Sequence, residues 1–171
     1  MLNRKLKHEI KKHFIAFSDG SCDNLNPLRP GGSAYIILDT DGNVIKKVSK
    51  GFMHTTSNRM ELLAIISIVN SLPSFSFVTI NTDSEYCIKA LLSKQPKANL
   101  DLIRKYYDIR NKKDITVYLH HVKGHAGNKY NELCDQMARG EYTKMLNKAS
   151  EESYSCITTK SRRKGIKGKR G

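Results

Sequence analysis

Asp19, Glu61, Asp83 and Asp135 are the four acids whose settings suit chemistry better than solubility. Asp19 follows a short apolar run, Phe14–Phe17, and Asp83 follows another, Phe77–Asn81, so both stand at the ends of expected strands. Glu61 lies early in a long helical pattern, and Asp135 lies in the first half of the last one. Carboxylates at the carboxyl ends of strands gather where open α/β sheets collect their ligands. If Asp19 and Asp83 sit on neighbouring strands, their repulsion is costly without cations between them. Mg²⁺, a hard ion that prefers oxygen ligands, suits such a cluster. Each acid also has a plainer reading. Asp19 could serve an Asp-Gly turn, Asp83 could be a helix N-cap, Glu61 could answer a helix dipole, and Asp135 could be a solvated helix residue.

The elements that must position these acids are legible in outline. Phe14–Phe17 reads as a strand ending at the turn-like Ser18-Asp19-Gly20-Ser21, and a loop rich in Asn, Pro and Gly follows from Cys22 to Gly32. Ser33–Leu38 and Val44–Gly51 form a hairpin about Asp39-Thr40-Asp41-Gly42-Asn43. Thr56-Ser57-Asn58 offers N-caps for a helix from Arg59 to about Leu72, which Pro73 stops. Phe77–Asn81 is a fourth strand, followed by helices from Asp83 or Ser84 to Leu92 and from Asn99 to Arg110. Ile115–His121 is a fifth strand, and a last helix runs from about Tyr130 to Leu146. The order βββαβααβα implies an α/β fold, a mixed five-stranded sheet with helices on its faces.

A chain of 171 residues suits a single domain. The sequence divides into a basic arm over 1–12, a folded domain over 13–146, and a basic tail over 147–171 expected to be disordered. Residues 1–13 carry five Lys or Arg against one Glu, residues 160–171 carry seven and no acid, and 14–159 are left with only +3 of the net +14. Basic arms of this kind usually meet nucleic acid phosphates; the plainer reading is a solubilising or nuclear-localisation-like stretch. No apolar run is long enough to span a membrane, and no signal peptide is visible, so a cytoplasmic, nuclear or infected-cell setting is expected. Cys22, Cys87, Cys134 and Cys156 stand singly, which argues against a zinc site or a disulfide framework.

Five segments carry a resemblance to a known family. Phe17-Ser18-Asp19-Gly20-Ser21-Cys22, Thr55-Thr56-Ser57-Asn58-Arg59-Met60-Glu61-Leu62 and Asn81-Thr82-Asp83-Ser84 resemble signatures of the type 1 ribonucleases H. Val122-Lys123-Gly124-His125-Ala126-Gly127 and Asn131-Glu132-Leu133-Cys134-Asp135 continue the match, in the family's order, across roughly 13–143. The resemblance implies the ribonuclease H-like fold and hydrolysis of the RNA strand of an RNA–DNA hybrid, leaving 3′-hydroxyl and 5′-phosphate ends. It implies Asp19, Glu61, Asp83 and Asp135 as metal-binding carboxylates and His125 as the mobile-loop histidine that assists water activation or product departure. Two Mg²⁺ ions about 4 Å apart, or Mn²⁺ in their place, would hold the attacking water and the leaving oxygen. Cys22, Asn26, Thr56, Ser57, Asn58 and Glu85 match positions that contact hybrid sugars, base edges and phosphates, although Thr56 and Asn58 also suit helix caps. A monomer is expected, and the resemblance leaves primer removal, R-loop removal and viral replication equally open.

The chain departs from the family's pattern in places. The loop after Asp19 is one residue longer, Ser57 stands for a common Asn, and Glu85 stands for a common Gln. Between Leu92 and Leu100 only Ser93-Lys94-Gln95-Pro96-Lys97-Ala98-Asn99 is present, where many bacterial members insert a helix and a basic loop that grips the DNA strand. The basic tail from Lys160 to Arg170, with Lys5–Lys12, is the expected substitute for that grip. Two rivals remain: a junction resolvase or transposase of the same broad fold, and a catalytically dead nucleic-acid-binding module.

Overall fold

The structure, a computed structural model, describes residues 11–124 and 126–166. Its elements follow the order read from the sequence: β1 (Lys12–Cys22), β2 (Gly31–Leu38), β3 (Val44–Phe52), α1 (Ser57–Ser71), β4 (Ser76–Thr82), α2 (Glu85–Leu92), α3 (Leu100–Lys112), β5 (Thr116–His121) and α4 (Lys129–Ile166). The five strands form one sheet in the order β3-β2-β1-β4-β5. β1 pairs antiparallel with β2, and β2 with β3, whereas β1 pairs parallel with β4, and β4 with β5.

Side chains alternate across a strand, and here the alternation divides the apolar residues between two cores. Phe14 and Ala16 of β1, with Tyr35 and Ile37 of β2, pack beneath α1. Ile15 and Phe17, with Ile36 and Leu38, pack against Tyr130, Leu133, Cys134 and Met137 of α4. The two central strands are therefore buried on both sides, which is why they read as continuous apolar runs rather than alternating ones. α1 is buried nearly all round, through Met60, Leu62, Ala64, Ile65, Ile66, Ile68 and Val69. The sheet lies on one side of it, and Ile103 and Tyr106 of α3 join the same core.

Two boundaries differ from the sequence reading. β1 does not stop at Phe17 in a Ser-Asp-Gly-Ser turn but runs on to Cys22, because its pairing with β2 continues to Cys22 opposite Gly31. The turn comes later, where Asp23 N donates to Pro30 O at 3.1 Å. α4 does not end near Leu146 but continues to Ile166. No proline interrupts 141–166, and Ala149, expected to lie in the tail, is buried. Residues 167–171 of that tail and 1–10 of the N-terminal arm lie outside the described residues. Among the described residues no helix is long and apolar enough to cross a membrane.

Two glycines set how closely the helices approach the sheet. A Cβ on Gly20 would lie 2.3 Å from the backbone N of Glu61, and one on Gly32 would lie 2.0 Å from Ala138 O of α4. Both contacts are with backbone, which cannot swing aside. Gly32→Ala should therefore destabilise the fold by roughly 1–3 kcal/mol, the usual cost of overpacking, measured by urea unfolding. Wild-type stability in that variant would show that α4 does not need its close approach.

Candidate active site

The register of the sheet decides where the first two acids go. Phe17 of β1 lies opposite Asn81 of β4 in the parallel pair, and that pairing ends there. Asp19 and Asp83 are each two residues further on, so they leave the sheet side by side on the same face. β1 continues against β2 while β4 ends at Thr82, which opens a crevice at the carboxyl ends of the strands. Here β1 leads to β2 on one side and β4 leads, through α2 and α3, to β5 on the other, the kind of place where open α/β sheets bind ligands.

Glu61 and Asp135 reach this crevice from opposite helices. Thr56 caps α1, its side chain accepting from Arg59 N at 3.3 Å, and Glu61 follows one turn later against Gly20. Ser84 Oγ donates to Glu61 Oε2, and Cys87 Sγ lies 3.9 Å from the same oxygen. Asp135 is held at the start of α4 by Arg139 Nε at 2.7 Å, and Cys134 beside it is anchored to Phe17 O at 3.4 Å. Behind the strand ends, Asn81 Nδ2 donates to Ala16 O at 3.1 Å and its Oδ1 meets His120 Nδ1 at 2.8 Å.

The electrostatics mark these acids as one cluster. Burial foremost, then the charge of Asp83, with further pushes from Asp135 and Glu61, raises the Asp19 carboxyl to about 8, against the pull of its 2.7 Å bond from Gly20 N. Burial also raises Glu61, aided by Asp83 and opposed by its bonds from Ser84 and Cys87. An all-oxygen set of carboxyl groups fits a hard divalent cation, and a cation would offset the burial and the repulsion that together raise Asp19. Among the described residues no three such side chains are already grouped as a bound metal requires. Glu61 is bonded to Ser84 and Asp135 to Arg139, contacts that metal ligation would replace.

His125 lies outside the described residues. Its neighbour Gly124 does not: a Cβ there would lie 2.8 Å from Asp83 Oδ2, so the Gly124 backbone packs against the acid. Thr56, Ser57 and Asn58 stand together at the start of α1. Asn24 ties the lengthened loop to them, its side chain donating to Ser57 Oγ at 3.3 Å and accepting from Ser57 N at 3.4 Å. Cys22 closes the base of that loop, with Sγ 3.8 Å from Arg29 O, and burial foremost raises its thiol. Asn26 shapes the loop, its Oδ1 accepting from Leu28 N at 2.9 Å. Glu85 is exposed on the first turn of α2 and is held by Lys89 Nζ at 2.7 Å, which lowers its carboxyl.

Two supporting residues escaped the sequence reading. Asn131 is 3 % exposed, its Nδ2 lies 3.5 Å from Asp83 Oδ2, and among the described residues its Oδ1 has no hydrogen-bond partner. Arg59 was seen only as part of a motif; it pairs with Asp101 of α3 at 2.6 Å and donates to Asn99 Oδ1 at 3.2 Å, tying α1 to α3. Ser84, by contrast, gave a local signal as a helix cap, and it caps α2 by accepting from Cys87 N.

Residues 11–143 match the sequence model of the RNase H family. A ribonuclease H of Pseudoalteromonas atlantica is 36% identical over 142 residues, covering 75% of this chain and 89% of the relative. A ribonuclease HI of Vibrio parahaemolyticus is 35% identical over 144 residues, covering 76% and 90%. Among solved structures, LC11-RNase H1 in complex with RNA/DNA hybrid superposes with a TM-score of 0.65 at 20% identity, covering 78% of this chain and 99% of that one. The five-stranded sheet, the helices on both faces and the sequence match agree, and the chain belongs to the ribonuclease H family, in its type 1 form.

Proposed function

We propose that the protein hydrolyses the RNA strand of RNA–DNA hybrids at Asp19, Glu61, Asp83 and Asp135, leaving 3′-hydroxyl and 5′-phosphate ends. The observation that carries this reading is the pairing register that sets Asp19 beside Asp83, with the Asp19 carboxyl raised by burial first and then by the three other acids. Membership of the ribonuclease H family makes the enzyme an endonuclease that uses a divalent metal, and the hybrid seen in a structural neighbour supports the substrate. Two Mg²⁺ ions, with Mn²⁺ as a substitute, supply Lewis acidity toward the attacking water and the leaving 3′-oxygen.

The chain's own residues do the rest. Asp19 and Asp83 present oxygen donors from a rigid strand end, and Glu61 and Asp135 complete the set from the helices. His125, next to a glycine that packs against Asp83, moves a proton at the attacking water or at the departing product. Asn131 steadies Asp83 from behind. The start of α1, where Thr56, Ser57 and Asn58 lie, offers N–H groups and short polar side chains to the hybrid backbone. Cys22, Asn26 and Glu85 border the same face. A hybrid's 2′-hydroxyls lie in its wide minor groove, the feature such a surface must read.

The first measurement follows a labelled hybrid with Mg²⁺, beside single-stranded RNA, RNA duplex and DNA duplex. Only the hybrid's RNA should be cut, and both EDTA and Asp83→Asn should abolish cleavage. Binding without cleavage in either metal would point to a dead binding module, and cleavage of duplex or branched DNA to a resolvase-like enzyme.

The raised Asp19 carboxyl gives a pH dependence with a definite sign. The folded state holds this proton up to about pH 8, whereas the unfolded state loses it near 3.8. Between those values the folded state binds more protons, so the stability due to Asp19 is full below 3.8 and is lost as pH rises toward 8. Without metal, Asp19→Asn should therefore melt higher than wild type at pH 8 and gain less at pH 5. Added Mg²⁺ should raise the wild-type melting temperature at pH 8 and narrow the gap. Equal pH profiles for the two proteins would remove the cluster's strain from the account.

The linker Ser93–Asn99 joins α2 to α3 without an inserted helix, so no basic protrusion is available there to hold the DNA strand. The tail is assigned that work. Deleting 160–171 should raise KM for hybrid several-fold near physiological salt and reduce the salt dependence of binding. An unchanged salt slope would assign the grip elsewhere.

A further inference from the structure

Away from the carboxylates, an open groove of about 350 Å³ lies between β3 and the flank formed by α1 and α3. Tyr35, Ser67, Asn70 and Ser71 give it a hydroxyl and amide floor, and Lys50 and Lys105 stand in its walls. Lys46 joins them, its Nζ donating to Ser71 Oγ at 3.1 Å, while Ser71 Oγ lies 2.8 Å from the Tyr35 hydroxyl. Among the described residues no Asp or Glu lines the groove. All three lysines are exposed, and among the described residues none of them forms an ion pair.

Two ordinary explanations fall short. Lysines guard an outer strand against edge-to-edge pairing, but Lys105 comes from α3. Lys46 and Lys50 pair with Ile37 and Ser33, on either side of the Tyr35–Val48 pair, so they share the strand face that looks toward α1 and α3. A cation could also answer the carbonyl end of α1. Lys113 already does so, its Nζ donating to Asn70 O and Leu72 O at 2.6 Å each. Three unneutralised ammonium groups over a hydrogen-bonding floor remain, and they suit a phosphate-bearing ligand.

The groove also has a direction. Phe52 and Leu63 line both it and a neighbouring cleft of about 240 Å³, which includes Arg59 and Met60, and Met60 adjoins Glu61. The concave surface thus runs from Thr55 and Arg59, at the start of α1, along that helix to the lysines. Its volume is that of a small-molecule site, too small to enclose a duplex, and a cationic groove that follows the backbone is how single strands are tracked.

We propose that this groove binds the phosphodiester backbone of a single strand that continues beyond the hybrid held at the carboxylates. The inference rests on the hybrid-cleaving reading and adds a preference for junctions between hybrid and unpaired strand. The test compares a blunt hybrid with the same hybrid carrying about ten unpaired nucleotides at either end of the DNA strand. Affinity is read by fluorescence anisotropy in EDTA, for wild type and for the combined Lys46→Gln, Lys50→Gln and Lys105→Gln variant.

Wild type should bind one overhang several-fold more tightly than the blunt hybrid, and the variant should bind both alike. On the overhang substrate the slope of log Kd against log salt should fall by about 2 in the variant, at ~0.7 per lost phosphate contact. The variant should keep the wild-type melting temperature and blunt-hybrid cleavage rate. Equal wild-type affinity for all substrates overturns the proposal, as does an overhang gain that survives the three substitutions. A free nucleoside monophosphate that shifts the NMR signals of these lysines, with no overhang gain, reassigns the groove to a small anionic ligand and also overturns it. Blunt-hybrid cleavage by wild type reports on the carboxylates alone, so the two readings fail separately.

Discussion

Repulsion among four carboxylates is the constraint around which this fold is arranged. Asp19, Glu61, Asp83 and Asp135 come from two strands and two helices on opposite sides of a sheet, and Asp19 feels the charge of all three others. Nothing in the acids themselves favours their meeting. They are carried together by backbone pairing and by two apolar cores, each acting at a distance from the charges. The parallel pairing of β1 with β4 delivers Asp19 and Asp83 in register. The core beneath α1 and the core beneath α4 then press Glu61 and Asp135 toward the same end.

That arrangement explains the absence of slack around the site. Gly20 and Gly32 admit helix backbone where any side chain would collide, so the helices are seated to within a fraction of an ångström. Neutral groups do the local holding: Ser84 and Cys87 on Glu61, Asn131 beside Asp83, Gly20 N on Asp19. Arg139 on Asp135 is the one cation among these contacts, and it sits at the rim, where it can exchange for solvent. A cluster held by hydrogen bonds instead of buried ion pairs stays electrostatically unsatisfied, and an unsatisfied anionic cluster is one that a divalent cation can enter with gain.

The positive charge is disposed around this acidic centre and not within it. Much of it falls in the two terminal segments, and a further part lines the groove beside β3 and α3. A nuclease acting on a polyanion needs attraction over its surface and oxygen donors at its centre. The short Ser93–Asn99 connection removes one common place for such charge, and the tail and the lysines of β3 and α3 are the places proposed for it.

The sequence by itself determined the elements and their order, and it singled out the four candidate acids. Strand and helix patterns are local, and Pro73, the Asp39–Asn43 turn and the caps at Thr56 and Ser84 punctuate them within a few residues. Two boundaries eluded it for a non-local reason. Ser18-Asp19-Gly20-Ser21 has turn chemistry, yet β2 pairs with it and keeps it extended; and Ala149 looks like part of a tail, yet it is buried. Arg59–Asp101, Asn131 beside Asp83 and the lysine groove were illegible because their partners lie tens of residues apart, with nothing in the chain to join them. Only the tertiary structure decided that β1 lies between β2 and β4, and with it that Asp19 and Asp83 share a face. Strand order and register are settled by which apolar faces bury together, a property of the assembled sheet that no single segment carries.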